Sequence, residues 1–393
     1  FEALLTRVQS FASPAVELTV YSSFQFGAIF TAPELPSLHQ SALRLLELMD
    51  APEIDSNQKV SGALFNLWYF NLHGDFDLSR RLVRIVGQFI EAPEVSELHR
   101  ASWFSNVGWG LTQQLDRDGA VLCFERAELI ARENNFPQIE YQSYEFQVFV
   151  HVMWGNLAEA ERLHQRMAQS LLSDRPQNVG AYHLAGVFIA QARRDVAKTL
   201  QHAQACLAST RSAGGPYFRH CWGSILVSPL VLAGRHQDAA ALIEEVKAIR
   251  AGSCFQVYNA LLQFGEAHLA LAQGEVSACH RLLADALHLC QREPSQACFL
   301  RWMVGGMPLM LAEALSANIE AEYVTSLIRA WAVRPPAAEI ECWPWPVQIL
   351  TLGRFQILRD GEPVVFPHKA PKRLLSLLKT LIALGGNDVT EDK

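Results

Sequence analysis

Thirteen histidines and eight cysteines are the side chains of this sequence that most often bind metals or act as nucleophiles. They form neither H-E-x-x-H nor C-x-x-C, and no G-x-S-x-G marks a serine nucleophile. We therefore expect no metal site, no cofactor and no enzymatic activity. The histidines in the middle of the chain fall in separate helical or loop segments: His151, His164, His183, His202 and His220.

Paired glutamates are the remaining catalytic candidates. Glu244 and Glu245, or Glu140 and Glu145, have the residue type that general acid–base catalysis uses. In segments with regular helical spacing such carboxylates are more often outward-facing charges. A hydrolase hidden here is therefore the weakest functional hypothesis.

A binding surface is a better candidate than a catalytic site. Several polar and aromatic residues precede turns near residues 74, 155, 193 and 274, in segments that would form the first helix of a helical hairpin. In stacked hairpins these helices line a concave groove, which could bind an effector small molecule, a peptide or a neighbouring domain. The alternative is ordinary packing and wet surface. The candidate groove residues are Trp68, Asn71, Gln142, Glu145, His183, Gln191 and His268.

Repeated turns predict the hairpins that would position these residues. Turns near Glu34, Gly74, Asp118, Gly155, Arg193, Gly234, Gly274 and Ala317 recur at a mean interval of about 40 residues. A small side chain stands five residues after each of the four best-formed glycine turns, where two helices would cross closely. These small residues are Ser79, Ala160, Ala239 and Cys279.

The repeats predict a mainly α fold, an α-solenoid of about eight tetratricopeptide-like helical hairpins over residues 1–331. One hairpin cannot bury its own apolar face, so each must stack on its neighbours. The aromatic and small positions of the tetratricopeptide consensus are not regularly filled, as Leu67 and Val148 show. The solenoid is therefore tetratricopeptide-like only.

Composition bounds the class of protein. Half of the residues are hydrophobic and the net charge is -7, which is typical of a folded protein and not of a chain built wholly to coat nucleic acid. No uncharged run is long enough to cross a membrane. We expect reduced cysteines and a fragment of a cytoplasmic protein, with no membrane partner.

The periodicity changes after residue 331. A proline-containing linker over residues 332–342 precedes three predicted strands at 347–352, 355–358 and 363–366. Asp360 and Gly361 form a typical tight hairpin turn. Pro371 then begins an amphipathic helix that continues to residue 384.

The residues of this last part resemble a known family. The T-L-G-R-F strand turn, the D-G-x-P hairpin and the K-x-x-x-L-L-x-L-L helix look like the start of the winged-helix domain of SARP/BTAD-type bacterial transcription activators. The resemblance covers about the last fifty residues and implies that 343–393 is the N-terminal, truncated part of a small α+β DNA-binding domain. The solenoid is similar to the effector-sensing domain of maltose-activator-like regulators, in which a signal-transduction ATPase domain usually precedes it.

Charge and tryptophan residues indicate how such a module would work. Residues 343–393 carry a net charge of +2, against -9 for residues 1–342. Contacts to the DNA backbone are expected from Lys369, Lys372 and Arg373, although these residues could instead form a solvated helix face. Docking of the module onto the last repeat is expected from Trp331, Trp343 and Trp345.

The sequence thus predicts a non-enzymatic, signal-sensing segment of a bacterial transcription activator. Its helical repeats would bind an effector or a partner domain and control the C-terminal winged helix, which would reach DNA once completed by later helices. The alternative is a scaffold or peptide-binding solenoid whose C-terminal strands merely cap its end.

Overall fold

The computed structural model describes residues 5, 7, 13–250, 253–337, 340–351, 353, 355–366 and 371–385. Eighteen α-helices and one three-stranded antiparallel sheet are present in these residues, so the predicted mainly α class is confirmed. Most of residues 1–12, the start of the predicted repeat region, lies outside this set. No helix in the described ranges has the length and apolar character needed to cross a membrane.

The first twelve helices form six consecutive pairs. They are α1 Pro14–Thr31, α2 Ser37–Leu48, α3 Ser56–His73, α4 Phe76–Val86, α5 Glu97–Gln113, α6 Arg117–Glu133, α7 Pro137–Met153, α8 Leu157–Gln169, α9 Pro176–Ala192, α10 Val196–Ala213, α11 Pro216–Leu232 and α12 His236–Arg250.

Five further helices and two short 3-10 helices complete the repeat region. They are a 3-10 helix Gln256–Tyr258, α13 Asn259–Ala272, α14 Val276–Arg292, α15 Pro294–Phe299, a 3-10 helix Leu300–Trp302, α16 Met307–Ser316 and α17 Ala321–Ala330.

Left-handed residues end the first helix of most pairs. Gly74, Gly155, Gly234 and Gly274 have φ between 71° and 96°, as the glycine turns of the sequence predict. The residue after each glycine donates its N–H to the carbonyl of the residue five positions earlier, as Asn156 does to His151 at 2.8 Å. The turn predicted near Asp118 lies earlier, because Leu115 takes the left-handed position there with φ 63°.

Small residues stand where the two helices of a pair cross. Ser79, Ala160, Ala239 and Cys279 are all buried, as the five-residue spacing predicts. Ser79 also donates a hydrogen bond of 2.9 Å to Asn71 on the preceding helix. A larger side chain at these positions would separate the helices.

The pairs stack in chain order through their first helices. α1 packs on α3, α3 on α5, α5 on α7, α7 on α9, α9 on α11 and α11 on α13. Such consecutive packing is compatible with a solenoid. One large hydrophobic core runs through these contacts from Leu18 to Trp343.

The row of pairs then returns on itself. α1 packs against α11, α3 against the 3-10 helix Gln256–Tyr258, and α5 against α15. Cys254 donates its N–H to the carbonyl of Pro33 at 2.9 Å, and the rings of Phe30 and Tyr217 lie 5.0 Å apart. The early and late hairpins therefore close a ring.

This closure differs from the open groove that the sequence predicts. Periodicity shows which helices line the concave side, but not whether the two ends of the curve meet. The contact between Phe30 and Tyr217 joins residues that no local pattern relates. The concave side consequently becomes the wall of an interior cavity.

The C-terminal part confirms the predicted change from helices to strands. β1 Val347–Leu350, β2 Gln356–Arg359 and β3 Glu362–Pro363 form an antiparallel sheet in the order β1-β2-β3. β1 and β3 are shorter than predicted and β2 is shifted by one residue, and Val347 pairs with Arg359 in register. Asp360 and Gly361 have φ of 51° and 84°, the conformation of a tight hairpin turn. The last helix is α18 Lys372–Ala383.

Gly215 offers a direct test of the ring closure. A Cβ at this position would lie 2.8 Å from the carbonyl oxygen of Phe30 on α1, so backbone must move to accept it. We expect Gly215→Ala to lower the free energy of unfolding by roughly 1–3 kcal/mol, as overpacking does, and to increase hydrogen exchange in α1. Chemical denaturation and exchange mass spectrometry measure the two effects.

Gly87→Ala is the matched control, because Gly87 is exposed and has a helical φ of -56°. Its stability should change by less than about 0.5 kcal/mol. Equal behaviour of the two variants would show that α1 and α11 are not held together in solution.

Candidate functional site

The interior of the ring contains a cavity of about 490 Å³. Its wall is formed by α1, α3, α5, α7, α9 and α11, the first helices of the pairs, together with Tyr258 and Trp302. A volume of this size is typical of small-molecule sites. The cavity exists only because the ring closes, so the closing contacts also position its lining.

Aromatic residues make up half of the residues that line the cavity. Trp68 and Trp109 stack with ring centroids 4.7 Å apart and planes 15° from parallel. Tyr217 contacts the edge of Trp68 at 6.0 Å, and Phe146 lies 6.4 Å from both tryptophans. Five of the six wall helices turn aromatic rings inward, the exception being α9, and the rings fix one another's orientation.

Glu145 is the acidic residue of this wall. Its side chain is half-buried and lines the cavity, where the surrounding protein removes part of its hydration. Among the described residues it makes no hydrogen bond and no ion pair. This desolvation raises the pKa of the Glu145 carboxyl to about 8. An unpaired carboxyl group in an aromatic interior is costly and requires an explanation.

A polar cluster forms one part of the rim. The exposed Arg175 donates from Nη1 to Oε1 of Gln138 at 3.0 Å, and Asn178 donates to the same oxygen at 3.1 Å. Tyr141 donates its hydroxyl to the carbonyl of Asn178 at 2.6 Å. The guanidinium of Arg175 is thus held by the rim and forms no ion pair with Glu145.

The structure brings three of the seven predicted groove residues together in the cavity. Trp68, Gln142 and Glu145 line it from α3 and α7. The other four lie elsewhere. Asn71 is fully buried beside Ser79, and His268 is buried and hydrogen-bonded to Ser228 at 3.0 Å.

The last two predicted groove residues lie on α9, outside the cavity lining. Gln191 borders a separate cleft that Pro335 and Pro336 of the linker also line. His183 approaches His202 on α10, with their Nδ1 atoms 3.0 Å apart. Desolvation, with a smaller contribution from His183, lowers the pKa of His202 to about 4, so these two histidines share a hydrogen bond as neutral rings.

A metal-ligating set that no sequence motif marks lies on α2, α3 and the following turn. One ligand atom of each of His39, His73 and Asp75 lies within 4.8 Å of the others. His73 Nδ1 is 2.9 Å from Asp75 Oδ2, and this partner lowers the pKa of Asp75. These three residues could hold a divalent cation, but the His73–Asp75 ion pair already accounts for their arrangement.

An outer cleft of about 750 Å³ lies next to this set. It runs between the turn at Gly74 and the start of α15, near Pro294 and Ser295. This outer cleft is larger than the central cavity but more open to solvent, and it has little aromatic lining. The central cavity is therefore the better candidate for a ligand site.

The residues predicted to contact DNA are only partly described. Lys369 lies outside the described residues, whereas Lys372 and Arg373 are exposed at the start of α18. Lys379 on the same helix lies 4.5 Å from the ring centroid of Phe355, between helix and sheet. The charged side chains of Lys372 and Arg373 are therefore accessible to an external partner.

The three predicted docking tryptophans lie at the junction between repeats and sheet. Trp343 is 3% exposed and belongs to the same core as the helical repeats. Trp331 and Trp345 are partly buried against that core, and Trp345 donates its indole N–H to the carbonyl of Ile340 at 3.0 Å. The junction is therefore packed.

Sequence reasoning missed most of the aromatic wall. Phe30, Trp109, Tyr217 and Trp222 occupy helix positions that the turn-counting rule did not sample. Their density on the first helices was a usable signal, since a solenoid interior needs no such number of large rings. Their convergence required the ring closure, which the sequence does not encode locally.

Comparison with known proteins adds no assignment, since no protein-family model and no curated protein matches this chain.

Glu145 makes the stability of the protein depend on pH. The unfolded carboxyl ionises near its ordinary pKa, whereas the folded one stays protonated up to about pH 8. The free energy of unfolding should therefore fall as pH rises from about 4.5 to about 8. We expect Glu145→Gln to match the wild type below about pH 4 and to exceed it by roughly 1–4 kcal/mol at pH 8, measured by denaturant titration.

Glu133→Gln, at an exposed carboxylate near the end of α6, is the control and should leave the pH profile unchanged. A Glu145→Gln profile parallel to that of the wild type would mean that the carboxyl is hydrated.

Proposed function

We propose that this chain is a signal-sensing segment of a bacterial transcription activator. The helical repeats receive an effector in the central cavity, and the loaded ring changes the position or availability of the C-terminal strand–helix module. That module is the start of a winged helix that contacts DNA. The segment is not an enzyme, and an ATPase domain of the same protein is a further proposed partner.

The observation that carries the sensing role is the cavity itself. It combines a small-molecule volume, an aromatic wall and the unpaired carboxyl group of Glu145. A packed core would exclude such a group, because an unpaired polar group inside a protein is destabilising. A residue that lowers the stability of the folded protein at one position is typical of a functional site.

The packed junction supports coupling between cavity and module. Trp343 shares the hydrophobic core of the repeats and lies four residues before β1. A change in the last repeats would therefore reach the first strand through Trp343 and residues 344–346, which connect it to β1. Interfaces of this kind switch between discrete arrangements.

The exposed face of the module supports a binding role over a mere cap. A cap would bury its apolar residues against the last repeat. No residue of α18 is buried, and Leu374 and Leu377 remain 66% and 57% exposed. Together with the exposed cations Lys372 and Arg373, this favours a module with a partner of its own.

Loosening the junction tests the coupling. We expect Trp343→Ser combined with Trp345→Ser to increase hydrogen exchange in β1, β2 and α16 about tenfold or more, because removing a buried aromatic side chain costs about 3 kcal/mol. Exchange in α5 and α6, far along the chain, serves as the internal control. Unchanged protection of β1 would exclude the stiff junction.

The DNA part of the proposal is tested on this chain joined to the sequence that follows Lys393 in its gene. Binding should be sequence-preferring and should weaken with salt, with Lys372→Ala and Arg373→Ala each reducing the salt dependence by about one phosphate contact. Binding without sequence preference or salt dependence would instead support the scaffold alternative.

A further inference from the structure

We propose that the ligand of the central cavity is an organic cation, a compact ammonium compound with an apolar or aromatic body, held by Glu145 and the surrounding rings. This inference rests on the proposed function, because it names the chemical class of the effector. It follows from the composition of the cavity wall rather than from the resemblance of the C-terminal module.

The aromatic wall is suited to a cation. Ring faces carry negative potential and attract ammonium groups, most strongly when water is excluded. Trp68 and Trp109 present a stacked pair, and Tyr217 and Phe146 complete a box around them. Neutral apolar ligands would also fit such a box, so the rings alone do not decide the class.

Glu145 determines which chemical class of ligand fits the cavity. It is the one acidic residue of the lining, and among the described residues it has no cationic partner inside the protein. An ammonium group beside it would supply the missing counter-charge and a hydrogen-bond donor, both of which are strong in a desolvated site. An anionic ligand would be repelled by the ionised carboxyl, and a neutral ligand could exchange a hydrogen bond with it but would supply no counter-charge.

Arg175 is the basic residue of the lining and would favour the opposite class. It is exposed at the rim, and its guanidinium is already engaged by Gln138. A ligand that enters the aromatic box passes beyond it and meets Glu145. Anionic ligands would therefore bind at the rim if they bind at all, which the choice of probes can distinguish.

Other titratable groups facing Glu145 stay neutral near physiological pH. They are Tyr141 on its own helix, Cys206 on α10 and Tyr217 on α11. Burial raises all three pKa values, that of Cys206 to about 12. With Arg175 permanently charged, Glu145 is the group whose ionisation follows pH in this range.

The experiment compares three probes with the same phenyl body: 2-phenylethylammonium, 2-phenylethanol and phenylacetate. Isothermal titration calorimetry on the whole chain at pH 8 should show the cation binding about tenfold or more tightly than the alcohol. Phenylacetate should not compete with the cation. Intrinsic tryptophan fluorescence offers a second readout, since Trp68 and Trp109 line the site.

Glu145→Gln should reduce the affinity for the cation about tenfold or more and leave the affinity for the alcohol within about twofold. Glu133→Gln is the matched control and should bind all probes as the wild type does. Because glutamine has nearly the same size, the aromatic box remains in place.

The wild type alone gives an independent test. Benzyltrimethylammonium keeps its charge at every pH, so its affinity should rise as pH increases towards about 8 and then level off, with release of a proton below that pH. Titrations in buffers of different ionisation enthalpy measure the released proton directly. Neither effect should remain in Glu145→Gln.

Several results would overturn the inference. Equal affinity for the cation and the alcohol, preferred binding of phenylacetate, or cation binding that is unaffected by Glu145→Gln would each do so. In these cases a site in the cavity remains, and the proposed sensing function survives with another ligand class. Absence of binding by all probes also rejects the organic cation. The sensing function is tested separately with Ala181→Phe, which fills the cavity with a side chain in place of a ligand. If hydrogen exchange in β1 is the same in this variant as in the wild type, the sensing function fails.

Discussion

The contact between the first and the sixth helix pairs determines what this protein can do. Without it, the stacked hairpins would form an open curve with its aromatic residues in water. With this contact, the rings of Phe30 and Tyr217 pack together and the N–H of Cys254 donates a hydrogen bond to the carbonyl of Pro33. The inner faces of six helices then surround a common space. The free energy that holds the ring is mainly apolar burial, but its product is a concave interior with a defined lining.

Glu145 and the aromatic rings around it have opposite effects on the free energy of folding. The aromatic residues gain from mutual burial, whereas the carboxyl group loses part of its hydration and has no hydrogen-bond or ion-pair partner among the described residues. A protonated carboxyl reduces this cost but does not abolish it. The conflict is local, because the helix that carries Glu145 is well anchored by Phe146 and Phe149 on its buried faces. The ring is stable enough to hold one unfavourable group in the place where a ligand would relieve it.

The sequence predicts those features that depend on near neighbours. Glycine turns such as Gly155, the strands β1 and β2 and the hairpin at Gly361 follow from residue types over a few positions, and all are present. Counting back from the turns also placed Trp68, Gln142 and Glu145 on inward faces. The same rule also selected Asn71 and His268, which lie in packing interfaces between helices and not on the cavity wall. Counting residues does not distinguish these two environments. Ring closure depends on curvature summed over many pairs, which no single segment contains.

We expect the two kinds of contact in the ring to form at different stages of folding. Each hairpin joins residues close in sequence, so its loop-closure entropy is small and it can form early. The closing contacts join distant residues; Arg301 on the late side bonds to the carbonyl of Met153, 148 positions away. The chain should therefore form most of its helices before the ring closes, and a nascent or partly folded chain would be helical but would lack the central cavity.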